Sequence, residues 1–197
     1  MSGEEKAWDI LAGLDPEDAC KRALVSYDKG AGYYIIRSLG ADFEVLPEKR
    51  QIKGLSPGAD ALVKKSGYFL NHSLLWYLIN AKDIPLSGRL LKPEDVKGGL
   101  QFFRGTHVLP LERLSGLYGD KAAFIEKGIS LGGRLVSYGD ASLELYPLPR
   151  APVTLILWLA DEEFPARASL LLDSTVEMHL PLDIVWSVGM LSALAMM

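Results

Sequence analysis

Leu143-Glu144-Leu145-Tyr146-Pro147-Leu148-Pro149-Arg150-Ala151-Pro152-Val153-Thr154-Leu155-Ile156-Leu157-Trp158-Leu159-Ala160-Asp161-Glu162-Glu163-Phe164-Pro165-Ala166-Arg167-Ala168-Ser169-Leu170-Leu171-Leu172-Asp173 is the stretch that decides the fold. Leu143 to Tyr146, Val153 to Ala160 and Ala168 to Leu172 are β-type runs joined by short connections. The middle run is apolar on both faces, so it belongs inside a sheet, with an antiparallel neighbour on either side. The acidic triplet Asp161-Glu162-Glu163 is then a strand connection, and Asp173 falls at the opposite end of the second strand. About 17 Å at ~3.3 Å per residue separates the two acidic sites, too far for one catalytic pair unless another element bridges them.

Upstream, Tyr33 to Leu39, Phe43 to Leu46 and Gln51 to Lys53 are β-rich runs separated by Gly40-Ala41-Asp42 and Pro47-Glu48-Lys49, the pattern of a second meander. Asp15-Pro16 with Asp18 predicts a helix start, and the helix is expected from Pro16 to Asp28 with Ala19, Ala23 and Tyr27 along its buried face. Tyr68 to Ile79 is apolar at nearly every position and predicts a buried central helix. Ala81 to Gly99 is a polar connection with a helical turn at Lys92-Pro93-Glu94-Asp95, followed by short helices at Pro110 to Leu117 and Lys121 to Lys127. Pro181 and Asp183 open a final apolar helix through Met197. The expectation is one α+β domain, 1–197, in which an antiparallel sheet of N-terminal and C-terminal meanders packs against several helices.

The chain has 197 residues, 49% of them hydrophobic, and a formal charge of -4 with 21 basic residues scattered among 25 acids. A duplex nucleic acid needs a concentrated basic stripe, so that partner class is not expected. The single cysteine, Cys20, makes no intrachain disulfide, and Met1 to Asp15 has no signal-peptide pattern; a cytoplasmic protein is expected. The apolar run Ile184 to Met197 is too short to span a bilayer, so it is read as a buried helix.

No glycine-rich phosphate loop, zinc spacing or cluster ligand set occurs. No cofactor is named by any motif and no metal site is assigned. His72 reads as a hydrogen-bonded core residue and Cys20 as a packing residue. Arg104 and His107 are a candidate anion site ahead of a helix. Asp161, Glu162, Glu163, Asp173, His179 and Asp183 are candidates for a ligand or cation site, because carboxylates hold hard cations and act as general acids and bases. The simpler reading makes Asp161 a turn acceptor with Glu162 and Glu163 solvated, Phe164 plugging the core, and Asp173 a cap for Ser174 and Thr175.

Gly132-Gly133, Gly139-Asp140-Ala141, Tyr146-Pro147, Leu155-Ile156-Leu157-Trp158, Asp161-Glu162-Glu163-Phe164-Pro165, Leu171-Leu172-Asp173-Ser174 and Leu180-Pro181 with Asp183 resemble the family catalogued as the domain of unknown function DUF 3786. The N-terminal half, with Trp76-Tyr77-Leu78, is similar more loosely. The resemblance implies a protein of anaerobic bacteria or archaea, in a family where some members carry a cysteine-rich iron-sulfur segment before this domain; this chain lacks those cysteines. It implies no activity. Three functions are therefore expected to compete: a non-catalytic module binding a small molecule, cofactor or protein; a carboxylate-based metal- or acid-dependent enzyme; and a homo-oligomer joined through the apolar tail from Ile184 to Met197.

Overall fold

The computed structural model of the protein describes residues 3–197, so Met1 and Ser2, the start of the Met1 to Asp15 stretch, lie outside the described residues. Helix α1 (Gly3–Ala12) occupies most of the rest of that stretch and buries Ala7, Trp8 and Leu11. Helix α2 (Pro16–Ala23) starts as its signals require: the Asp15 carboxylate accepts the Glu17 N–H at 3.0 Å and proline takes the first turn. It does not run to Asp28. Leu24 turns left-handed at φ 54°, and Ser26–Asp28 become β1, paired with Tyr33 to Ile35. Sheet pairing outcompetes continued helix there, and the Tyr27 ring packs against Tyr34 from within the strand, tilted by 59° with centroids 4.7 Å apart.

Strands β1 (Ser26–Asp28), β2 (Tyr33–Ser38), β3 (Ala41–Leu46) and β4 (Gln51–Gly54) form an antiparallel meander in that order. Helix α3 (Pro57–Asn80) follows, capped by the Ser56 hydroxyl, which accepts the Ala59 N–H at 3.2 Å. It is twice the length expected from Tyr68 to Ile79. A kink at Ser66 (φ −142°), beside Gly67, divides it, with the Ser66 hydroxyl donating back to the Leu62 carbonyl at 3.0 Å. The apolar half, with Leu70, Leu74, Leu75, Tyr77 and Leu78 buried, is the central helix; Tyr68 at its start is exposed, and His72 makes the expected hydrogen bond, its Nδ1 3.0 Å from the Tyr68 carbonyl, but is only half-buried, so it is not a core residue.

After α3 come β5 (Leu90–Leu91), α4 (Gly99–Phe102), α5 (Leu111–Ser115), α6 (Lys121–Ser130), β6 (Arg134–Leu135), β7 (Ala141–Leu148), β8 (Ala151–Trp158), β9 (Arg167–Asp173), α7 (Val176–His179) and α8 (Leu182–Met196). A 3-10 turn at Pro93–Asp95 follows β5. The second sheet has the order β5-β9-β8-β7-β6 and is antiparallel throughout. The mixed α+β architecture and both meanders are those expected; the two form separate sheets, and the two-residue strands β5 and β6 extend the second. As its two apolar faces require, β8 is interior, between β7 and β9.

The sheets meet where β2 turns into β3. The Leu39 N–H donates to the Tyr146 carbonyl at 2.8 Å, and Gly40 (φ +77°) lies against Gly132 (φ +72°) so closely that a Cβ on Gly40 would stand 2.8 Å from the Leu131 carbonyl carbon. Helix α8 is buried nearly all round through Ile184, Val185, Val188, Leu191, Ala195 and Met196, against α3 and the second sheet. That burial closes the apolar tail inside the chain's own core, so Ile184 to Met197 is not an exposed interface. Among the described residues no helix is long and apolar enough to cross a membrane.

Candidate functional site

Alternation along β7, β8 and β9 divides the second sheet into two faces. Leu143, Leu145, Val153, Leu155, Leu157, Leu170 and Leu172 point into the core, each at most 1% exposed. The registers Ser142↔Ile156↔Ser169 and Glu144↔Thr154↔Leu171 put the polar and mixed residues on the outer face, with Trp158 paired to Arg167 at one end and Asp173 at the other. On that face Glu144 accepts from Arg134 at 2.6 Å and from the Tyr146 hydroxyl, whose pKa burial and the Glu144 carboxylate push up to about 12.

At the Asp173 end the carboxylate accepts five hydrogen bonds. Asp173 Oδ1 accepts from the Ser87 N–H (3.1 Å), the Ser87 hydroxyl (3.0 Å), the Thr175 N–H (2.9 Å) and the Thr175 hydroxyl (2.7 Å), and Oδ2 accepts from the Gly88 N–H at 2.7 Å. Burial pushes its pKa up, but the hydrogen bonds from Thr175 and Ser87 outweigh burial and hold it below the ordinary value. Ser174, expected to be capped here, sends its N–H to the Arg89 carbonyl at 2.8 Å instead.

The same connection, 82–88, is held by two more side chains. His179, 1% exposed, accepts the Lys82 N–H on Nδ1 at 3.1 Å, which leaves the proton of the neutral ring on Nε2; that atom is buried without a partner among the described residues. Burial and the Arg150 charge depress its pKa, opposed by Asp173. Arg150, in the β7–β8 turn, donates to the Arg22 carbonyl (2.8 Å), the Ile84 carbonyl (2.8 Å) and the Asp83 carboxylate (2.6 Å). Asp173 and His179 thus share one end of the sheet, and four of their bonds come from main-chain N–H groups, with the Ser87 and Thr175 hydroxyls adding two more to Asp173.

The other end is open. Asp161 Oδ1 accepts the Glu163 N–H at 2.9 Å and the Phe164 N–H at 2.7 Å, and those bonds lower its pKa. It is the turn acceptor expected, with Glu162 and Glu163 exposed. Phe164 does not plug the core: it is 65% exposed, because the turn that Asp161 closes aims it outward. The Arg167 guanidinium lies over the Trp158 ring, 4.4 Å from its centroid, and the Asp140 carboxylate accepts the Leu159 N–H at 2.8 Å. Asp140, Trp158, Leu159, Asp161, Phe164 and Arg167 surround a cleft of about 500 Å³.

The seven residues from Arg167 to Asp173 set the two ends about 20 Å apart at ~3.3 Å per residue step, so the acidic turn and Asp173 do not converge. Asp183 is exposed in the first turn of α8. Among the described residues no three His, Cys, Asp or Glu side chains gather as a metal-binding group. Arg104 is exposed, whereas the His107 ring stacks on Phe102 (4.3 Å, 15°) and meets Trp186 edge-on at 4.9 Å; His107 is part of an aromatic cluster, not an anion pair with Arg104. Cys20 is half-buried, and burial raises its thiol pKa, as a packing residue requires. Sequence reasoning missed Trp158, Arg167 and Asp140 as site residues. The signal was the hairpin itself, since its register alone pairs Trp158 with Arg167.

No curated protein and no solved structure matches the chain. The family described as domain of unknown function (DUF3786) matches residues 15–195, nearly the whole chain and both ends of this sheet, and the protein belongs to that family.

Proposed function

We propose that the protein is a non-catalytic binding module, a cytoplasmic accessory of anaerobic metabolism, that takes a flat, apolar-faced small molecule or cofactor in the cleft at Trp158 and Phe164. The observation that supports this reading is Phe164 itself, held 65% exposed beside a cleft of about 500 Å³ that it lines together with Trp158, whose ring already carries a guanidinium. Pockets of this size, with aromatic walls and a few fixed polar groups, suit small ligands. Covering the Phe164 ring contributes about 2 kcal/mol to any ligand that achieves it. Arg167 and the carboxylates of Asp140 and Asp161 supply the polar edge that orients the ligand. The anaerobic setting follows from the family resemblance and is part of the proposal, as is the treatment of 1–197 as one folding unit, which the packing of α3 on strands of both sheets supports.

A thermal-shift panel of flavins, corrinoids, nucleotides and divalent cations tests the proposal, since a ligand that binds only the folded state raises Tm. The expected result is a saturable rise with a flat ring ligand, lost in Phe164→Ala and weakened in Arg167→Gln. No shift with any ring ligand would overturn the reading. A rise with magnesium or calcium alone, lost in Asp161→Ala, would replace it with the carboxylate enzyme.

A further inference from the structure

The outer face of the second sheet carries another cleft, of about 370 Å³, towards the Asp173 end. Its floor is buried and consists of Pro152, Thr154 and Asp173. Leu86 and Leu90 wall it from the β5 side of the sheet, and Arg134, Val136 and Tyr138 from the β6 side. Leu86, Arg134 and Tyr138 are exposed, so the cleft is open above a buried floor.

Two groups lining this cleft have hydrogen-bonding capacity that the protein does not use. Glu144 and Thr154 are direct partners across β7 and β8 on that face, which sets their Cβ atoms about 4.5–5.5 Å apart. The Glu144 side chain is only 13% exposed, yet its bonds converge on one oxygen: the Arg134 guanidinium lies 2.6 Å from Oε1, and the Tyr146 hydroxyl donates to the same atom. Among the described residues no hydrogen bond reaches Oε2. Thr154 is 3% exposed, and its hydroxyl has no hydrogen bond either. The sealed polar side-chain atoms without a partner are those of Ser38, Ser73, His179 and Trp186 among the described residues; the Thr154 hydroxyl is not one of them, so the surface it keeps opens on the cleft. Buried polar groups in folded proteins are paired, and an unspent pair at the floor of a cleft marks where a guest supplies the bonds.

The charge of the lining selects the guest. One guanidinium, Arg134, stands against the carboxylates of Glu144 and Asp173, so the cleft favours a cation and disfavours an anion. A hard metal ion asks for more oxygen ligands than Glu144 and Thr154 supply. We infer that this cleft binds a small organic amine, its ammonium group donating to Glu144 Oε2 and to the Thr154 hydroxyl while its carbon chain lies along Leu86, Leu90 and Val136. An ammonium has three donors and no acceptor, which matches a free carboxylate oxygen beside a free hydroxyl. Asp173 adds its charge at the far side without giving up its own bonds. The site shares no residue with the Trp158 cleft and does not depend on it.

Titration with n-butylammonium, followed by amide chemical shifts in NMR, tests the site. The Ser87, Gly88, Val136 and Thr154 amides should shift saturably, and those of Glu163 and Phe164 should not. n-Butanol, which lacks the charge, and butyrate, which reverses it, should bind at least ten-fold more weakly. Glu144→Gln and Thr154→Val should each weaken n-butylammonium at least five-fold with circular dichroism unchanged, whereas Thr154→Ser, which keeps the hydroxyl, should bind like the wild type. Arg134→Gln removes the competing cation and should bind more tightly. Equal affinity for n-butanol would overturn the proposal, as would an unchanged affinity in both Glu144→Gln and Thr154→Val. So would loss of binding in Arg134→Gln, shifts confined to the acidic turn at 161–164, or no saturation at tens of millimolar.

Discussion

Replacing Asp173 by alanine removes the acceptor of five hydrogen bonds at a residue only 4% exposed. The Ser87 and Thr175 hydroxyls can rotate to other acceptors, but the N–H groups of Ser87, Gly88 and Thr175 are fixed by the main chain. At about 1 kcal/mol for each orphaned donor, Asp173→Ala should cost about 3 kcal/mol, a fall in Tm of about 6–12 °C for a chain of this length. Asp173→Asn keeps one carbonyl acceptor and should lose about half as much. The pH dependence has a definite sign. Because the folded pKa of Asp173 lies below its ordinary value of 3.8, its contribution is complete above the unfolded value and is lost as pH falls through the folded one. Urea titrations followed by circular dichroism should therefore show a wild-type advantage over Asp173→Ala that is constant above about pH 5 and shrinks below about pH 4. A Tm within 2 °C of wild type, with the Ser87 and Gly88 amides still protected from exchange, would refute the assignment of Asp173 as the anchor of 82–88.

Two further outcomes follow from buried groups. Leu157 is 0% exposed on the core face of the interior strand, so Leu157→Asp should cost more than about 4 kcal/mol and leave no cooperative folded state in circular dichroism. His179, packed with Arg150, Asp173 and Lys82 around it, has a folded pKa below 6.5, so stability is full above pH 6.5 and declines as pH falls towards the folded value; His179→Gln, which keeps an acceptor for Lys82, should flatten that decline in urea titrations between pH 7 and 5.

The legible parts of the fold are those decided by local pattern. Apolar residues on both faces of 153–160 admit only an interior strand, and Asp15-Pro16 admits a helix start. The end of α2 was not legible because it depends on a competitor: Ser26 to Asp28 leave the helix to pair with β2, a contact that periodicity within 16–28 does not encode. The first half of α3 was hidden by Lys64-Lys65 and by Ser66-Gly67, which punctuate a helix that tertiary packing carries through the kink. The two-residue strands β5 and β6 have no pattern to read. At the candidate site, Asp161 was legible as a turn acceptor because its partners lie two and three residues away. The Ser87 partner of Asp173 lies 86 residues away, and nothing in the 173–183 segment announces it.

The two ends of the outer face differ in a way that bears on function. Around Asp173, His179 and Arg150 the bonds reach the main chain of Lys82, Ile84, Ser87 and Gly88 and the side chains of Asp83 and Ser87, and this fixes the connection 82–88 against the sheet. Strand β8 carries that rigidity to Trp158, since it lies between two full-length partners and its core face is anchored by Val153, Leu155 and Leu157. The turn beyond it is tied by three bonds of its own, two to the Asp161 carboxylate and one from the Asp161 N–H to the Phe164 carbonyl at 3.0 Å. Phe164 is therefore held outward by the turn and not left there by a loose loop, although burying such a ring is worth about 1.5–3 kcal/mol. A fixed aromatic beside a fixed guanidinium loses little conformational freedom when a ligand covers it, and low ordering cost is what turns a shallow cleft into a binding site.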